Sequence, residues 1–216
     1  CGVGPAGASV AGLWYLEALN IPAAAADVMT VRLGDGVDLY THGRISFANR
    51  PALDCGVVIG MPVREAAHCM LQSDPGAPSA SDVTNRTVME TGADGRQVVC
   101  TDSIAFGLPE DVRNVLVTAG HTGRSAVPYL RKVRPFGFIC SDGGKGREDA
   151  GVAALAIVDA EGLAGATVDA RGARMGDALS SYRDGVISAA NASASAAGVQ
   201  VGMPAAQAAS LLLRRQ

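Results

Sequence analysis

Short apolar runs alternate with helical stretches over the second half of the chain. Residues 115–118 and 136–140 are apolar and rich in β-branched or aromatic side chains, so they predict strands, and residues 166–168 predict a third. Between the strands, residues 125–132 and 147–161 have the 3.6-residue period of helices. This alternation is the βαβ pattern of a parallel sheet, and we therefore predict an α/β fold.

Further elements are predicted on both sides of this pattern. Two helices span about residues 185–197 and 204–214, because a glycine separates them and a proline suits the first turn of the second. Residues 87–90 and Gln97–Thr101 flank a Gly-Ala-Asp-Gly turn and predict a β-hairpin at the edge of the sheet. Residues 73–85 begin with a stretch rich in Ser, Pro, Gly and Ala, which predicts a linker.

The first part of the chain repeats, without a gap, the sequence that begins at Gly143. At an offset of 142 positions, residues 1–71 and 143–213 are identical at 27 positions. Chance in so Ala- and Gly-rich a chain gives about 6 or 7 identities, and so long a period predicts two pseudo-symmetric βαβ-type halves with a mainly parallel sheet, not a solenoid. We predict a single domain, residues 1–216, in three parts: repeat one (1–72, incomplete at its N-terminus), the linker (73–85) and repeat two (86–216).

Several polar residues of repeat one are kept at the same offset in repeat two, and five pairs are considered as candidates. The pairs are Arg32/Arg174, Asp35/Asp177, Tyr40/Tyr182, Ser46/Ser188 and Asn49/Asn191. In a structural interpretation, an Arg–Asp pair braces the loop after the third strand, and Ser and Asn cap helices or bond within them. In a functional interpretation, Arg32 or Arg174 binds a substrate carboxylate through its planar guanidinium. Pseudo-symmetry would then bring both sets to one central cleft.

Composition and charge exclude several classes of protein. A chain with 48% hydrophobic residues and a formal net charge of −3 is suited to a globular core and poorly suited to nucleic-acid binding. Its apolar runs are shorter than the roughly 20 residues of a membrane span, and no secretory signal pattern opens it. Five cysteines without a C-x-x-C pair predict reduced thiols in a cytoplasmic protein, and the scattered histidines predict neither a metal site nor a cofactor.

Candidate chemistry lies where the strands of repeat two end, since ligands bind outside the carboxyl ends of parallel strands. Three such ends carry polar or Gly-rich loops, at residues 118–123, 141–146 and 169–177. The middle loop leads into a predicted helix. Its backbone N–H groups, with Lys145 and Arg147 nearby, would suit a carboxylate, phosphate or oxyanion. The alternative is a tight turn without a ligand.

The predicted ligand site combines these loops with the arginines kept in both repeats. His121 ends a strand and is the histidine best placed for acid–base work, with a hydrogen-bonded structural histidine as the alternative. Cys140 is predicted to be a small buried hydrophobe. The residues predicted to bind substrate are Gly2, Gly120, Asp142, Gly143, Gly144, Arg32 and Arg174, and those predicted to be catalytic are Cys1, Lys145 and His121.

The opening residues Cys1-Gly2-Val3 resemble the start of class II glutamine amidotransferases and, more loosely, of other self-processing N-terminal-nucleophile hydrolases. The resemblance covers only these first residues, and the predicted parallel sheet departs from the stacked antiparallel sheets of that family. It implies that the side chain of Cys1 attacks an amide while its α-amine serves as base. The leading hypothesis is therefore hydrolysis of a C–N bond in a small amide.

Two alternatives to this hypothesis stay open. One is a non-catalytic α/β domain that binds a small molecule or an anion through the middle loop, and the other is a lyase or isomerase that uses Lys145 and His121. For Cys1 itself, we expect a longer precursor to be cut before it, because residues 97–142 have no counterpart in repeat one. The severed N-terminal segment would stay bound as a partner, in a homo-oligomer. Removal of an initiator Met, a proteolytic nick and a truncated chain are the alternatives to self-cleavage.

Overall fold

The first sheet of the molecule is small and antiparallel. The computed structural model describes residues 5–18, 20–73 and 86–215, and we call the portion up to residue 73 the N-terminal part and the portion from residue 86 the C-terminal part. In the N-terminal part, β1 (Ala24–Ala26) pairs with β2 (Ile45–Ala48). The helices of this part are α1 (Ala11–Ala18), α2 (Gly36–His42), α3 (Arg50–Asp54) and α4 (Val63–Met70), with 3₁₀ turns at Pro5–Val10 and Val28–Thr30.

The C-terminal part is built around a six-stranded sheet. Its strands are β3 (Arg86–Thr91), β4 (Gln97–Thr101), β5 (Val115–His121), β6 (Gly137–Ser141), β7 (Ala164–Val168) and β8 (Ile187–Ala190). They lie side by side in this order; β4 to β7 are parallel, and β3 and β8 are antiparallel to their neighbours. Its helices are α5 (Val127–Val133), α6 (Ala153–Asp159), α7 (Ala178–Arg183), α8 (Ala192–Ala196) and α9 (Ala205–Leu213), with 3₁₀ turns at Ile104–Phe106, Pro109–Arg113, Arg124–Ala126 and Arg147–Val152. The predicted α/β class is confirmed.

Helices cover both faces of the large sheet, which explains why its strands read as continuous apolar runs. Val115 and Val117 of β5 belong to the buried cluster with α7 and α9, and Leu116 between them belongs to the cluster with α5 and α6. Gly165 of β7 lies under the ring of Phe138, since a Cβ added to Gly165 would stand 2.1 Å from a ring carbon. The carboxyl ends of β5, β6 and β7 are thereby held at one edge of a rigid sheet.

Several predicted elements differ from those observed. The helix predicted over 185–197 is wrong, because residues 187–190 form β8 along β7 and α8 begins only after Asn191. Alanine favours helices, and pairing with β7 overrides this preference. The helix predicted over 147–161 is shorter, since α6 follows a 3₁₀ turn in which Glu148 and Asp149 have left-handed backbone. The helix α7 was not predicted.

Strand pairings in the two parts of the chain recur at the sequence offset of 142. The pairs, each given with its counterpart, are Ala24–Ala48 and Ala166–Ala190, Ala25–Phe47 and Thr167–Ala189, and Arg44–Pro62 and Val186–Pro204. The two parts differ in whether a second strand pairs with β1 or with its counterpart β7. β7 pairs with β6 as well as β8, whereas among the described residues β1 pairs with β2 alone.

None of the helices in the described ranges has the length and apolar character needed to cross a bilayer.

Candidate functional site

A cleft of about 530 Å³ lies where the loops after β6 and β7 meet the N-terminal part. We call it the junction cleft. It is lined by Ser9, Val28, Met29, residues 142–146, Asp149, residues 169–171 and Met175. Four of the predicted site residues, Asp142, Gly143, Gly144 and Lys145, therefore lie together in one cavity at the carboxyl ends of parallel strands.

Asp142 fixes the two loops of the cleft relative to each other. The residue is 2% exposed, and its Oδ1 accepts hydrogen bonds from the N–H groups of Gly144 at 2.8 Å and Ala170 at 3.0 Å. The N–H of Asp142 donates to the carbonyl of Val168 at 2.8 Å. One buried acidic residue thus ties the loop after β6 to the loop after β7.

The loop after β6 has an unusual backbone. Gly143, Gly144, Lys145 and Gly146 all have positive φ, of 63°, 81°, 63° and 70°. Lys145 is the non-glycine residue in this run, and the left-handed conformation costs an L-residue with a Cβ about 1–2 kcal/mol. Strained residues of this kind collect at functional sites, where the surrounding structure holds them in place.

The predicted cradle of backbone N–H groups for an anion is wrong. The five N–H groups of residues 143–147 all donate to acceptors within the protein. In order, the acceptors are Ser141 Oγ, Asp142 Oδ1, the Asp142 carbonyl, the Gly144 carbonyl and the Val31 carbonyl, at 2.8–3.1 Å. The loop also leads into a 3₁₀ turn instead of an α-helix. An anion in the junction cleft must therefore be held by side chains.

Side chains of both signs line the junction cleft. The guanidinium of Arg171 binds the Asp169 carboxylate at 2.8 Å. The hydrogen bond from the Arg171 side chain, together with its backbone N–H and the nearby charges of Arg171 and Lys145, holds the pKa of Asp169 below its usual range. Lys145 and Asp149 are exposed, and Val28, Met29 and Met175 supply apolar surface. The cleft thus offers cations, carboxylates and an apolar wall.

Arg32 joins the two parts of the chain. Its Nε and Nη2 donate to the carboxylate of Glu148 at 2.6–2.8 Å. Its N–H and Nη1 donate to Asp38, which also binds Arg147. The backbone hydrogen bond from Arg32, with the charges of Arg147 and Arg32, lowers the pKa of the Asp38 carboxyl. In the functional interpretation, Arg32 binds the carboxylate of a substrate. In the structure, Arg32 binds the carboxylate of Glu148 instead.

Arg174 braces the loop after β7, as the structural interpretation expects. Its Nε and Nη2 donate to Asp177 Oδ2 at 3.1 and 2.9 Å, and its N–H donates to Ser180 Oγ at 3.0 Å. Asp177 in turn caps α7 by accepting the N–H of Ser180. The structure therefore leaves Arg174 out of the lining of the junction cleft, although the adjacent Met175 belongs to it.

His121 lines a separate pocket of about 300 Å³, together with Arg32 and other residues of 31–39. The N–H of Gly123 donates to His121 Nδ1 at 3.0 Å, so the neutral ring carries its proton on Nε2. Burial lowers the pKa of His121. Because the lone pair of Nδ1 is engaged, the neutral ring is suited to donating a hydrogen bond. Gly120, just before it, faces open space, since a Cβ there would meet nothing within 4 Å.

The cysteines divide into buried and accessible groups. Cys140 is 1% exposed, and Thr118 Oγ1 donates to its Sγ at 3.1 Å. Burial raises the pKa of Cys140 to about 11 and that of Cys100 to about 12. The prediction that Cys140 is a small buried hydrophobe is confirmed. Cys1 and Gly2, the predicted nucleophile and its neighbour, lie outside the described residues.

Sequence reasoning singled out the loop at residues 169–177 but missed two of its side chains that line the cleft, Asp169 and Arg171. A signal was present, because Asp169 has an identical counterpart at the offset of 142, Asp27. Both aspartates accept the N–H of the residue two positions on, that of Arg171 and that of Met29. Within the described ranges, no group of three or more His, Cys, Asp or Glu side chains is arranged to hold a metal ion.

Comparison of the chain with protein-family models, with curated proteins and with solved structures found no match. Function must therefore be argued from the chemistry of the site alone.

Proposed function

We propose that the chain binds a small organic molecule in the junction cleft, and that this molecule carries a carboxylate or similar anion next to an amide or amine N–H. Lys145 and Arg171 are the cations for the anionic group, and Asp149 is an acceptor for the N–H. Val28, Met29 and Met175 contact the apolar remainder of the molecule. A volume of about 530 Å³ is in the range of small-molecule sites.

The observation that supports this proposal most is the backbone of Lys145. A lysine with φ of 63° between glycines is strained, and a glycine would relieve the strain. The buried carboxylate of Asp142 holds this loop in place through the N–H of Gly144. The structure of the loop therefore favours a functional reason for the cation at position 145.

We further propose that the two parts of the chain are related by a pseudo-two-fold axis that passes near the junction cleft. Two pairs of counterparts at the offset of 142 line this cavity, Val28 with Ala170 and Met29 with Arg171. An axis of this kind would explain why both parts contribute the same loop to one site. With such an axis, residues 1–216 would form a single domain, as the sequence repeat predicts.

A second candidate function is hydrolysis of a small amide by Cys1. The offset of 142 pairs Cys1 with Gly143, and Gly143 lines the junction cleft. Under the proposed pseudo-symmetry, the thiol of Cys1 would lie on the opposite wall. Its thiolate would attack the carbonyl carbon of the amide, the nitrogen would leave as a protonated amine, and water would hydrolyse the thioester. Self-cleavage before Cys1 and the α-amine as base remain predictions about residues outside the described part.

The lyase or isomerase alternative is less well supported. Lys145 and His121 line different cavities, and Nδ1 of His121 already accepts the N–H of Gly123. A reaction that needs these two side chains on one substrate would require the loop after β6 to rearrange.

The ligand proposal can be tested by titrating ¹⁵N-labelled protein with N-acetylglycine, which carries both a carboxylate and an amide N–H. We expect amide shifts at Gly144 and Arg171, and affinity at least about ten-fold lower in the double variant Lys145→Gly, Arg171→Ala, because both charge-assisted contacts are lost. Lys132→Ala, which removes an exposed lysine elsewhere, is the matched control. Unchanged affinity in the double variant, or shifts confined to another surface, would contradict the proposal.

Hydrolysis of an amide by Cys1 needs an assay that is separate from the binding titration. Release of ammonia from glutamine, measured for the intact chain and for Cys1→Ala, tests hydrolysis without reference to N-acetylglycine binding. Equal rates in both proteins would exclude Cys1 as the nucleophile.

A further inference from the structure

The helices α4 and α9 occupy counterpart positions in the sequence repeat, yet they differ in what covers them. Leu213 at the end of α9 is 3% exposed, whereas its counterpart Leu71, just after α4, is 79% exposed. α9 packs on β6, where Gly137 lies under Leu212: a Cβ added to this glycine would stand 3.4 Å from the Leu212 Cβ. The same apolar side of α4 faces an open groove of about 380 Å³.

The difference extends over the whole contact surface. In the C-terminal part, the five positions that correspond to the groove residues are all buried. Ala164, Ala209, Leu212 and Leu213 lie in the cluster with α9, and Leu163 lies in the cluster with α5 and α6 on the other face of the sheet. Their counterparts at the offset of 142 line the groove: Ile21, Pro22, Ala67, Met70 and Leu71. In the described part of the chain, the N-terminal part thus keeps the apolar side chains of this surface without a sheet that buries them.

The edge of β1 differs from β7 in the same way. β6 pairs with β7 in parallel, with Ile139 opposite Ala166 and Cys140 opposite Thr167. The counterparts of Ala166 and Thr167 are Ala24 and Ala25, which pair on the β2 side. Among the described residues no strand lies on the other side of β1. An edge strand beside an apolar groove is a site for the addition of another strand.

We propose that this surface, which we call the β1–α4 face, binds a strand–helix–strand segment from outside these 216 residues, in the place that β5, α5 and β6 take beside β7 and α9. The segment adds a parallel strand to β1 and covers Met70 and Leu71. The composition of the segment can be inferred from β5 and β6 in the C-terminal part. It should contain two apolar strands, with a small residue in the position of Gly137, where α4 would pack on the second strand. This inference does not depend on which ligand the junction cleft binds.

Two other occupants fit less well. Residues 74–85, which lie outside the described residues, contain a single large aliphatic side chain, Val83, and so lack the composition of the apolar strands β5 and β6. A second copy of the chain carries a matching strand in β6, but β6 lies in the interior of its own sheet between β5 and β7. The two edge strands of that sheet do not match the groove either. β3 is mostly exposed, and β8 has Ile187 as its single large aliphatic side chain.

The proposal can be tested with a second copy of the chain's own segment that contains β5, α5 and β6. A fusion that places an additional copy of residues 86–142 directly before Cys1 puts this segment in the register that the repeat defines. A matched fusion with Cys140→Pro in the added copy has the same length, and its second strand cannot donate the ladder hydrogen bond at that position. Hydrogen exchange at residues 23–26 and along α4, and thermal unfolding of Leu71→Asp in each background, are the readouts.

We expect exchange at residues 23–26 to slow at least about ten-fold in the fusion and not in the Pro control. Leu71→Asp should lower the Tm of the fusion by about 4–8 °C and leave that of the original chain unchanged, because the side chain is buried only in the fusion. Val201→Asp, at another exposed aliphatic position, should have no effect in either background. Unchanged exchange, a neutral Leu71→Asp in the fusion, or a fusion that fails to fold would overturn the proposal. So would a dimer of the original chain that Leu71→Asp dissociates, since the occupant would then be a second copy.

Discussion

Asn49 and Asn191, which stand 142 positions apart, make the same four hydrogen bonds in their respective parts of the chain. Each buried carboxamide accepts two backbone N–H groups through Oδ1 and donates to two carbonyls through Nδ2, at 2.8–3.4 Å. The partners, given with their counterparts, are Ala23 and Gly165, Ala52 and Ala194, Ile21 and Leu163, and Leu13 and Leu155. One side chain therefore ties a helix cap, a strand entry and the preceding helix together in each part.

Removal of this amide should be costly in the C-terminal part. Asn191→Ala deletes the cap of α8 and leaves buried backbone groups without partners, so we expect the free energy of unfolding to fall by about 2–4 kcal/mol. Urea denaturation measures the loss. Ser195→Ala, on an exposed position of the same helix, is the control and should change stability by less than about 0.5 kcal/mol. A loss below 1 kcal/mol for Asn191→Ala would contradict the account of this side chain as a structural tie.

The backbone at Lys145 allows stability and binding to be separated. Lys145→Gly should raise the free energy of unfolding by about 1 kcal/mol, because glycine adopts the left-handed conformation without strain. Lys145→Ala keeps the strain and should leave stability within about 0.5 kcal/mol of the original. Both variants should bind N-acetylglycine more weakly, because both remove the ammonium group. The role of the ammonium group would be contradicted if N-acetylglycine affinity rose or fell with the stability of each variant and not with the loss of the charge. Position 145 would then matter only for the conformation of the loop.

The strands of the large sheet could be predicted from the sequence because the local signals and the packing agree. Residues 115–117 and 138–140 are apolar and buried, and helices cover both faces of the sheet that they form. Residues 187–190 were misread because Ile-Ser-Ala-Ala suits a helix locally, and only the pairing with β7 makes them a strand. The Ser46/Ser188 pair was misassigned to helices for the same reason.

The candidate site was predictable only in position. Loop composition and strand order indicated that Asp142, Gly144 and Lys145 lie at the carboxyl ends of the strands, and they line the cleft there. The N–H groups of residues 143–147 point where the φ angles of the loop direct them, and no sequence pattern specifies these angles. The predicted binding of an anion by these N–H groups is therefore wrong. The pairing of Arg32 with Glu148 spans 116 positions and depends on how the two parts meet.

The buried environment of His121 should make stability depend on pH near neutrality. Its pKa is lowered in the folded state, so the unfolded chain binds the proton more tightly. The stabilisation from the neutral ring is complete above the unfolded pKa of about 6.5 and is lost as the pH falls from there toward the folded value. Relative to His121→Gln, the chain should lose about 1.4 kcal/mol for each pH unit by which the NMR midpoint of His121 lies below 6.5. A midpoint at or above 6.5 would contradict the burial argument.

The environments of the cysteines predict which thiols react in the native protein. With a pKa of about 11 for Cys140 and about 12 for Cys100, the thiolate at pH 8 is a fraction of about 0.1% or less, and both sulfurs are buried. Cys55 and Cys69 are partly exposed. Peptide mapping after iodoacetamide treatment should therefore find Cys55 and Cys69 labelled, and Cys100 and Cys140 labelled only in urea. Native labelling of Cys140 as fast as that of Cys69 would contradict this division.

The same division isolates Cys1 for the candidate chemistry. In the double variant Cys55→Ser, Cys69→Ser, the remaining described thiols are the two buried ones, so alkylation of the native protein should fall on Cys1. If Cys1 is the nucleophile for a small amide, one equivalent of iodoacetamide should abolish ammonia release from glutamine, at the rate at which Cys1 is labelled. N-acetylglycine should slow the labelling of Cys1, since the proposed pseudo-symmetry puts this thiol in the cleft opposite Gly143. Full activity after complete labelling of Cys1 would exclude the hydrolase while leaving ligand binding in the cleft to be judged by its own titration.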